Sequence, residues 1–338
     1  MIEIKSTIYE AAERENFSGA MLVKDSTAED QGIAFGWSNR AERLENNLNT
    51  KFGIASGCKV FTAVAICQLI EEKKLQFDTQ LYELLAHDLP LLDPNVTIHH
   101  LLTHTSGMPD YFDEDKMENF DDLWKTTPMY TLRQGKEFLP FFQIKPMKFK
   151  PGERFHYNNA GYIVLGLVVE LLTGKDFQEY VEENVFTHCG MVNSRYYEMD
   201  KLPENTAMGY IQGEDGWKSN IYSVPVKGGA DGGAFVTAVD MIRFWEALID
   251  QSLLSEDMSE EFLKPKVRVK EGVSYGYGLW INTASEQVYK YHVMGYDPGV
   301  SFHSCYYPAE KLSLAVLSNR SSGAYEMMKV VEDVFSKS

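Results

Sequence analysis

The sequence predicts an α+β fold, an antiparallel sheet flanked by helices with an inserted, mainly helical lobe. Three observations predict it. Strand-like segments occur near both ends of the 338-residue chain. The long stretch between them, from about residue 75 to 225, reads as helices and long loops rather than as alternating strands. Each end of the chain also carries a helical stretch that could cover a sheet face. Residues 1–55 and 228–338 are therefore expected to share one discontinuous sheet domain, and residues 56–227 to form the helical domain. A cleft between two such bodies is the usual place for a site.

Taken in order, residues 1–16 read as an amphipathic helix with Ile8, Ala11 and Ala12 on one face. Phe17 to Val23 and Gly32 to Trp37 read as a hairpin, joined by a polar turn around Asp25 to Gln31. An apolar helix follows from Ser56 and ends in Glu71-Glu72-Lys73-Lys74. Ile163 to Leu172 is a second strongly apolar helix, closed by Thr173-Gly174. A helix spans Val239 to Asp250. Strands are expected at Tyr277–Ile281, Gln287–Val293, Val300–Tyr307 and Leu312–Ser318, with a last helix over about 323–336. No internal repeat, low-complexity segment or linker interrupts this series.

Apolar residues at 44% and charged residues at 24% are ordinary for a globular protein with a large core. The net charge of −17 argues against a nucleic-acid partner, because no basic patch would easily dominate such a surface. Four scattered cysteines (Cys58, Cys67, Cys189 and Cys305) form no C-x-x-C pair and no zinc spacing with histidine. No metal or organic cofactor is expected. The N-terminal residues carry alternating charges and no apolar leader, and no run is long enough to span a membrane. A cytoplasmic protein with reduced cysteines is the expectation, with secretion left open if a leader was removed.

The chemistry concentrates in Ser56-Gly57-Cys58-Lys59, the one S-x-x-K in the chain. A serine in the first turn of a helix and a lysine three residues later share a face. A lysine buried beside a hydroxyl can take its proton, and the helix start offers backbone N–H groups to an oxyanion. Such a spacing is usually a solvated surface pair. Here Phe52, Ile54 and Ala55 precede it, and Val60, Phe61, Val64, Ala65 and Leu69 follow, which argues for burial. The second element is Tyr157-Asn158-Asn159, the one Y-x-N. A phenol beside a cation can relay a proton, and an asparagine can hold both a lysine and a substrate carbonyl.

With Thr97-Ile98-His99-His100-Leu101-Leu102-Thr103-His104-Thr105-Ser106-Gly107, the Pro151–Gly174 segment and the glycine-rich Gly228 to Met241, these motifs occur in a recognisable order. The chain resembles the serine β-lactamase and penicillin-binding-protein-like superfamily, nearest its class C and esterase-like branch, over roughly residues 15 to 320. The resemblance implies an antiparallel sheet flanked by helices, with Ser56 as nucleophile, Lys59 and Tyr157 as proton carriers and Asn159 as substrate contact. It also implies that the His104 loop is structural.

The family's third motif, a basic residue, a small residue and a glycine on a sheet strand, is only partly present in Tyr291-His292-Val293-Met294-Gly295-Tyr296-Asp297-Pro298-Gly299. In the favoured register Gly295 takes the glycine position, Val293 replaces the cation, and Tyr296 supplies a second oxyanion N–H beside that of Ser56. His292 then faces away. In the other register His292 is the basic substrate contact, since a one-residue slip turns every side chain to the opposite face. Losing the cation weakens the case for carboxylate-bearing β-lactams and peptidoglycan peptides more than for esters. The expected function is a serine hydrolase that forms an acyl-enzyme on a small ester, amide or D-amino-acid-containing peptide. The alternatives are a β-lactamase or DD-peptidase, and a catalytically silent binding protein of the same fold. Cys58 points off the Ser56/Lys59 face. The aromatics Tyr111, Phe112, Phe120, Trp124, Tyr130, Phe141 and Phe142 are either an acyl pocket or core. The sequence leaves the oligomeric state open.

Overall fold

Eight antiparallel strands make the main sheet of the computed structural model, which describes residues 2–25, 31–113, 116–117 and 120–335. Two come from the start of the chain, β1 (Gly19–Lys24) and β2 (Gln31–Phe35). Six come from its end: β3 (Val267–Lys270), β4 (Val273–Tyr275), β5 (Trp280–Ala284), β6 (Gln287–Asp297), β7 (Val300–Tyr307) and β8 (Leu312–Ser318). Their order across the sheet is β2-β1-β8-β7-β6-β5-β4-β3. The N-terminal hairpin is thus joined to the C-terminal strands by the β1–β8 ladder, with Gly19 opposite Ser318 and Met21 opposite Val316. Apart from its two ends, the turn expected around Asp25–Gln31 lies outside the described residues.

The centre of the sheet is covered on both faces, which is why β8 reads Leu-Ser-Leu-Ala-Val-Leu-Ser and is buried throughout. Its alternate residues Leu312, Leu314 and Val316 pack with Ile8, Ala11 and Ala12 of the Ile2–Arg14 helix and with Met327, Met328 and Val331 of the Ala324–Phe335 helix. Ala315 and Leu317 face the opposite, larger core, which holds the Lys59–Glu71 helix and the Ala238–Ile249 helix. The Lys59–Glu71 helix is apolar on every side, and every residue from Lys59 to Cys67 is buried.

The middle of the chain is less helical than expected. Two long helices stand there, Lys59–Glu71 and Asn159–Thr173, and the other helical pieces are short turns such as Gly135–Phe141, which contains Pro140. Repeated prolines cut the helical pattern and leave the backbone to 3₁₀ turns and loops. A hairpin of Tyr210–Gly213 and Gly216–Ser219 also stands there, with no alternating apolar pattern to announce it. Near the C-terminal strands, the helix Glu256–Leu263 and the strands β3 and β4 were not anticipated. The strand expected at Tyr277–Ile281 starts at Trp280, because Gly278 takes φ +74° and turns the chain. A side chain at Gly278 would meet the Lys59 carbonyl at 2.8 Å, so this turn is pressed onto the start of the serine helix.

Candidate active site

The serine turn is built at the seam between sheet and helix. Ala55–Cys58 forms a single 3₁₀ turn that runs directly into the Lys59–Glu71 helix. Ala55 takes φ +46°, a conformation that costs a residue with a Cβ on the order of 1 kcal/mol. It is held there by the Gly233 N–H, which donates to the Ala55 carbonyl at 3.2 Å. Gly295 of β6 lies against the same turn. A methyl group there would stand 2.1 Å from the Ile54 carbonyl oxygen and 2.8 Å from the Ser56 nitrogen. Only glycine allows the strand so close.

Lys59 is 1% exposed and its Nζ has three acceptors. Ser56 Oγ lies at 2.9 Å, Asn159 Oδ1 at 2.9 Å and the Asp231 backbone carbonyl at 2.5 Å. Two of these can only accept. They take two N–H bonds and leave the third position of Nζ to Ser56, as an N–H in the ammonium or a lone pair in the amine. The Tyr157 ring stands with its centroid 5.0 Å from Nζ, and that of Tyr162 at 5.6 Å.

The Tyr157-Asn158-Asn159 segment is fixed from below. Asn158 caps the Asn159–Thr173 helix by accepting the Gly161 N–H at 2.6 Å. Its Nδ2 donates to the Met108 carbonyl at 2.9 Å, and its backbone N–H donates to His104 Nδ1 at 3.1 Å. Asp110 reinforces the same helix start, taking the N–H of Asn159 at 2.7 Å and that of Ala160 at 3.0 Å. Burial pushes the Asp110 carboxyl up to about 7 against the pull of these N–H groups. The His104 ring lies 4.3 Å from that of Tyr157, and Trp280 stacks on Tyr157 at 6.4 Å. Burial, with the charge of Lys59 adding to it, holds His104 well below the usual imidazole range, so the ring is neutral.

Asp231 was not anticipated as a site residue. It lies in the run Gly228-Gly229-Ala230-Asp231-Gly232-Gly233, and its carboxylate accepts the Tyr111 hydroxyl. Burial raises its carboxyl above the usual range, opposed by the nearby Lys59. The glycines around it were the available signal, because they let this stretch of backbone run close to the serine turn, where the Asp231 carbonyl meets Lys59.

A cavity of about 360 Å³ opens over this assembly. Ser56, Asn159 and Tyr296 line it, and Tyr111, Phe112, Phe120 and Phe138 supply an apolar wall. Of the other aromatics, Trp124 and Phe142 are core, while Tyr130 is 61% exposed. His292 does not reach the cavity. Gly295 and Val293 share one face of β6, and His292, Met294 and Tyr296 take the other. The His292 ring stacks at 6.3 Å on Trp280 and at 6.5 Å on His303, and Tyr296 meets His303 through its hydroxyl at 2.6 Å. The substrate contact carried by the alternative register is therefore corrected. Val293, 2% exposed, occupies the side of the strand that faces the serine turn. Cys58 is buried, donates to the Gly229 carbonyl at 3.5 Å, and is pushed by burial up to about 12. It is not a reactive thiol.

The sequence pattern of the beta-lactamase family matches residues 16–330. The chain belongs to the beta-lactamase family. Among solved structures it is similar to a penicillin binding protein from Bacillus halodurans, 55% identical with a TM-score of 0.94, covering 97% of this chain and 100% of that one. It is also similar to an octameric penicillin-binding protein homologue from Pyrococcus abyssi, 28% identical with a TM-score of 0.83 over 99% of this chain and 77% of that one. Penicillin-binding protein 4* of Bacillus subtilis is 27% identical, across 97% of this chain and 74% of the relative. As in other members of the beta-lactamase family, helices flank an antiparallel sheet. No helix among the described residues is long and apolar enough to cross a membrane.

Proposed function

We propose that this beta-lactamase-family chain is a serine hydrolase that works through an acyl-enzyme on small esters, amides or D-amino-acid-containing peptides. The observation that carries the reading is the Lys59 Nζ–Ser56 Oγ contact of 2.9 Å, with the other two positions of Nζ fixed by Asn159 and Asp231. Ser56 Oγ attacks the substrate carbonyl and its proton passes to Lys59. Tyr157, packed against Lys59, gives its hydroxyl proton to the leaving group and takes the proton held by Lys59 in its place. The N–H groups of Ser56 and Tyr296 receive the oxyanion, and Asn159 orients the substrate carbonyl and Lys59. Water then attacks the acyl-enzyme, with the proton path reversed.

Esters are favoured because Val293 supplies no cation for a substrate carboxylate. A second reading, acylation by β-lactams, draws support from the 55% identical chain described as a penicillin binding protein. Steady-state rates with p-nitrophenyl acetate, a D-alanyl-D-alanine peptide and benzylpenicillin, on wild type and Ser56→Ala, separate the readings. Ester turnover that vanishes in Ser56→Ala supports the proposal. A long-lived penicilloyl adduct without ester turnover favours the second reading. No Ser56-dependent reaction with any of the three leaves a binding protein.

A further inference from the structure

Two arginines converge on one indole beside segments that line the cavity. The Arg40 guanidinium carbon is 4.4 Å from the Trp217 ring centroid and that of Arg320 is 4.8 Å from it. Both charges therefore lie within about one Debye length of each other at 0.1 M salt. Arg40 also stands 5.7 Å from the Tyr210 ring, and its backbone N–H donates to the Tyr210 hydroxyl at 2.8 Å. Among the described residues neither guanidinium has a carboxylate within 4.0 Å. Arg320 spends one N–H on the Asn16 carbonyl. In a chain of net charge −17, two arginines gathered on one indole without a carboxylate beside them among the described residues stand out. Burial and the charge of Arg40 hold the Arg320 guanidinium below its ordinary range, a cost that an anion would remove.

The position matters as much as the charge. Asn319 and Ser321, on either side of Arg320, line the cavity over Ser56, as do Gly209 and Asn220 at the ends of the hairpin that carries Trp217. Tyr210 N–H donates to the Asn319 carbonyl at 2.9 Å, and Ser321 Oγ accepts the Gly299 N–H at 2.8 Å, which ties the arginines to the end of β6. Stacking on an aromatic face leaves the edge N–H groups of a guanidinium pointing outward, where they match the two oxygens of a carboxylate or phosphate.

We propose that Arg40 and Arg320, seated on Trp217, form an oxyanion-binding subsite beside the cavity that takes a carboxylate or a phosphate. The inference does not depend on which acyl group Ser56 receives, or on whether it receives one.

The test is an indole N–H nuclear magnetic resonance titration of the full chain, wild type and Ser56→Ala, at low ionic strength. Of the five tryptophan signals, that of Trp217 is assigned by its loss in Trp217→Phe. Sodium phosphate and sodium glutarate are added in separate arms, with sodium chloride at matched ionic strength as the reference. The Trp217 signal should shift saturably with at least one of the two anions, and the arm that binds more tightly says which group is preferred. Arg40→Gln and Arg320→Gln should each weaken binding about tenfold or more, as expected for losing a charged hydrogen bond. Arg40→Lys should weaken it less. The four remaining indole signals show that each variant is folded. No saturable shift in wild type, a shift equal to that with chloride, or an unchanged affinity in the double Arg→Gln variant would overturn the proposal. Because no turnover is read, a chain that hydrolyses nothing still gives a decisive answer.

Discussion

At the scale of the residue, the candidate site is built around a buried amine with one position turned to Ser56. Lys59→Met removes the amine while keeping its bulk. Ester kcat/KM should fall by roughly 10²- to 10⁴-fold, the range of a positioned acid–base group. A far-ultraviolet spectrum unchanged from wild type would show that the loss is chemical. Gly295 is constrained by contact alone. Gly295→Ala drives a methyl group to 2.1 Å from the Ile54 carbonyl oxygen, which forces the strand away from the serine turn. The expected cost is about 1–3 kcal/mol, read from the urea midpoint, with ester turnover lost in parallel. An alanine variant as stable and active as wild type would show that β6 does not hold the turn. The grouping of Ser56, Lys59, Tyr157 and Asn159 was legible in the sequence because it is made by side chains at helical or loop spacing. Asp231 was not, because it contributes a carbonyl that any residue possesses. Asp110 was missed for a different reason: it caps a helix that begins 49 residues later, and no local pattern records that contact.

At the scale of the element, the Asn159–Thr173 helix decides where Asn159 and Tyr157 stand. Its start is capped twice, by Asn158 and by Asp110. Asn158→Ala loses the Gly161 cap and the bond to Met108. The expected destabilisation is about 1 kcal/mol for the cap, and more if the Met108 carbonyl stays buried without a donor. Thermal unfolding measures it, and a change under 0.3 kcal/mol would mean that Asp110 alone suffices. The helix was readable from its apolar run and from Gly174, which ends it at φ +69°. The strands β7 and β8 were read to the residue, because both are rich in β-branched, aromatic and other apolar residues and each is bounded by turn residues. The Tyr210–Gly213 and Gly216–Ser219 hairpin was not read, since its outward-facing polar residues show no buried face. The register of β6 needed the structure, because His292 and Val293 are neighbours and alternation alone does not say which of them faces the serine.

At the scale of the molecule, the far face of the sheet buries imidazoles that should make the fold sensitive to acid. Burial, with the charge of Lys290 adding to it, lowers His303 to about 4 and His292 well below its usual range. In the unfolded chain a histidine protonates near 6.5. Below that pH the unfolded state gains a proton that the folded state refuses. The stabilisation is whole above about 6.5 and is lost as the pH falls towards 4. For His303 alone the loss between pH 7 and pH 5 is about 2 kcal/mol. His303→Gln should flatten the urea-midpoint curve over that interval by this amount, and an unchanged slope would show that His303 is protonated in the folded state. Both ends of the chain build this sheet, the middle brings Asn159 to a serine held against β6, and the glycine-rich run ahead of the C-terminal strands brings Asp231.

The measurement that tests the central claim most directly is the intact mass of the protein after incubation with a fluorophosphonate, beside Ser56→Ala. One covalent adduct on wild type and none on the variant is the predicted result, and peptide mapping should place it on Ser56. Folded wild-type protein that takes no adduct, or a variant that takes the same one, would contradict an activated serine at this site.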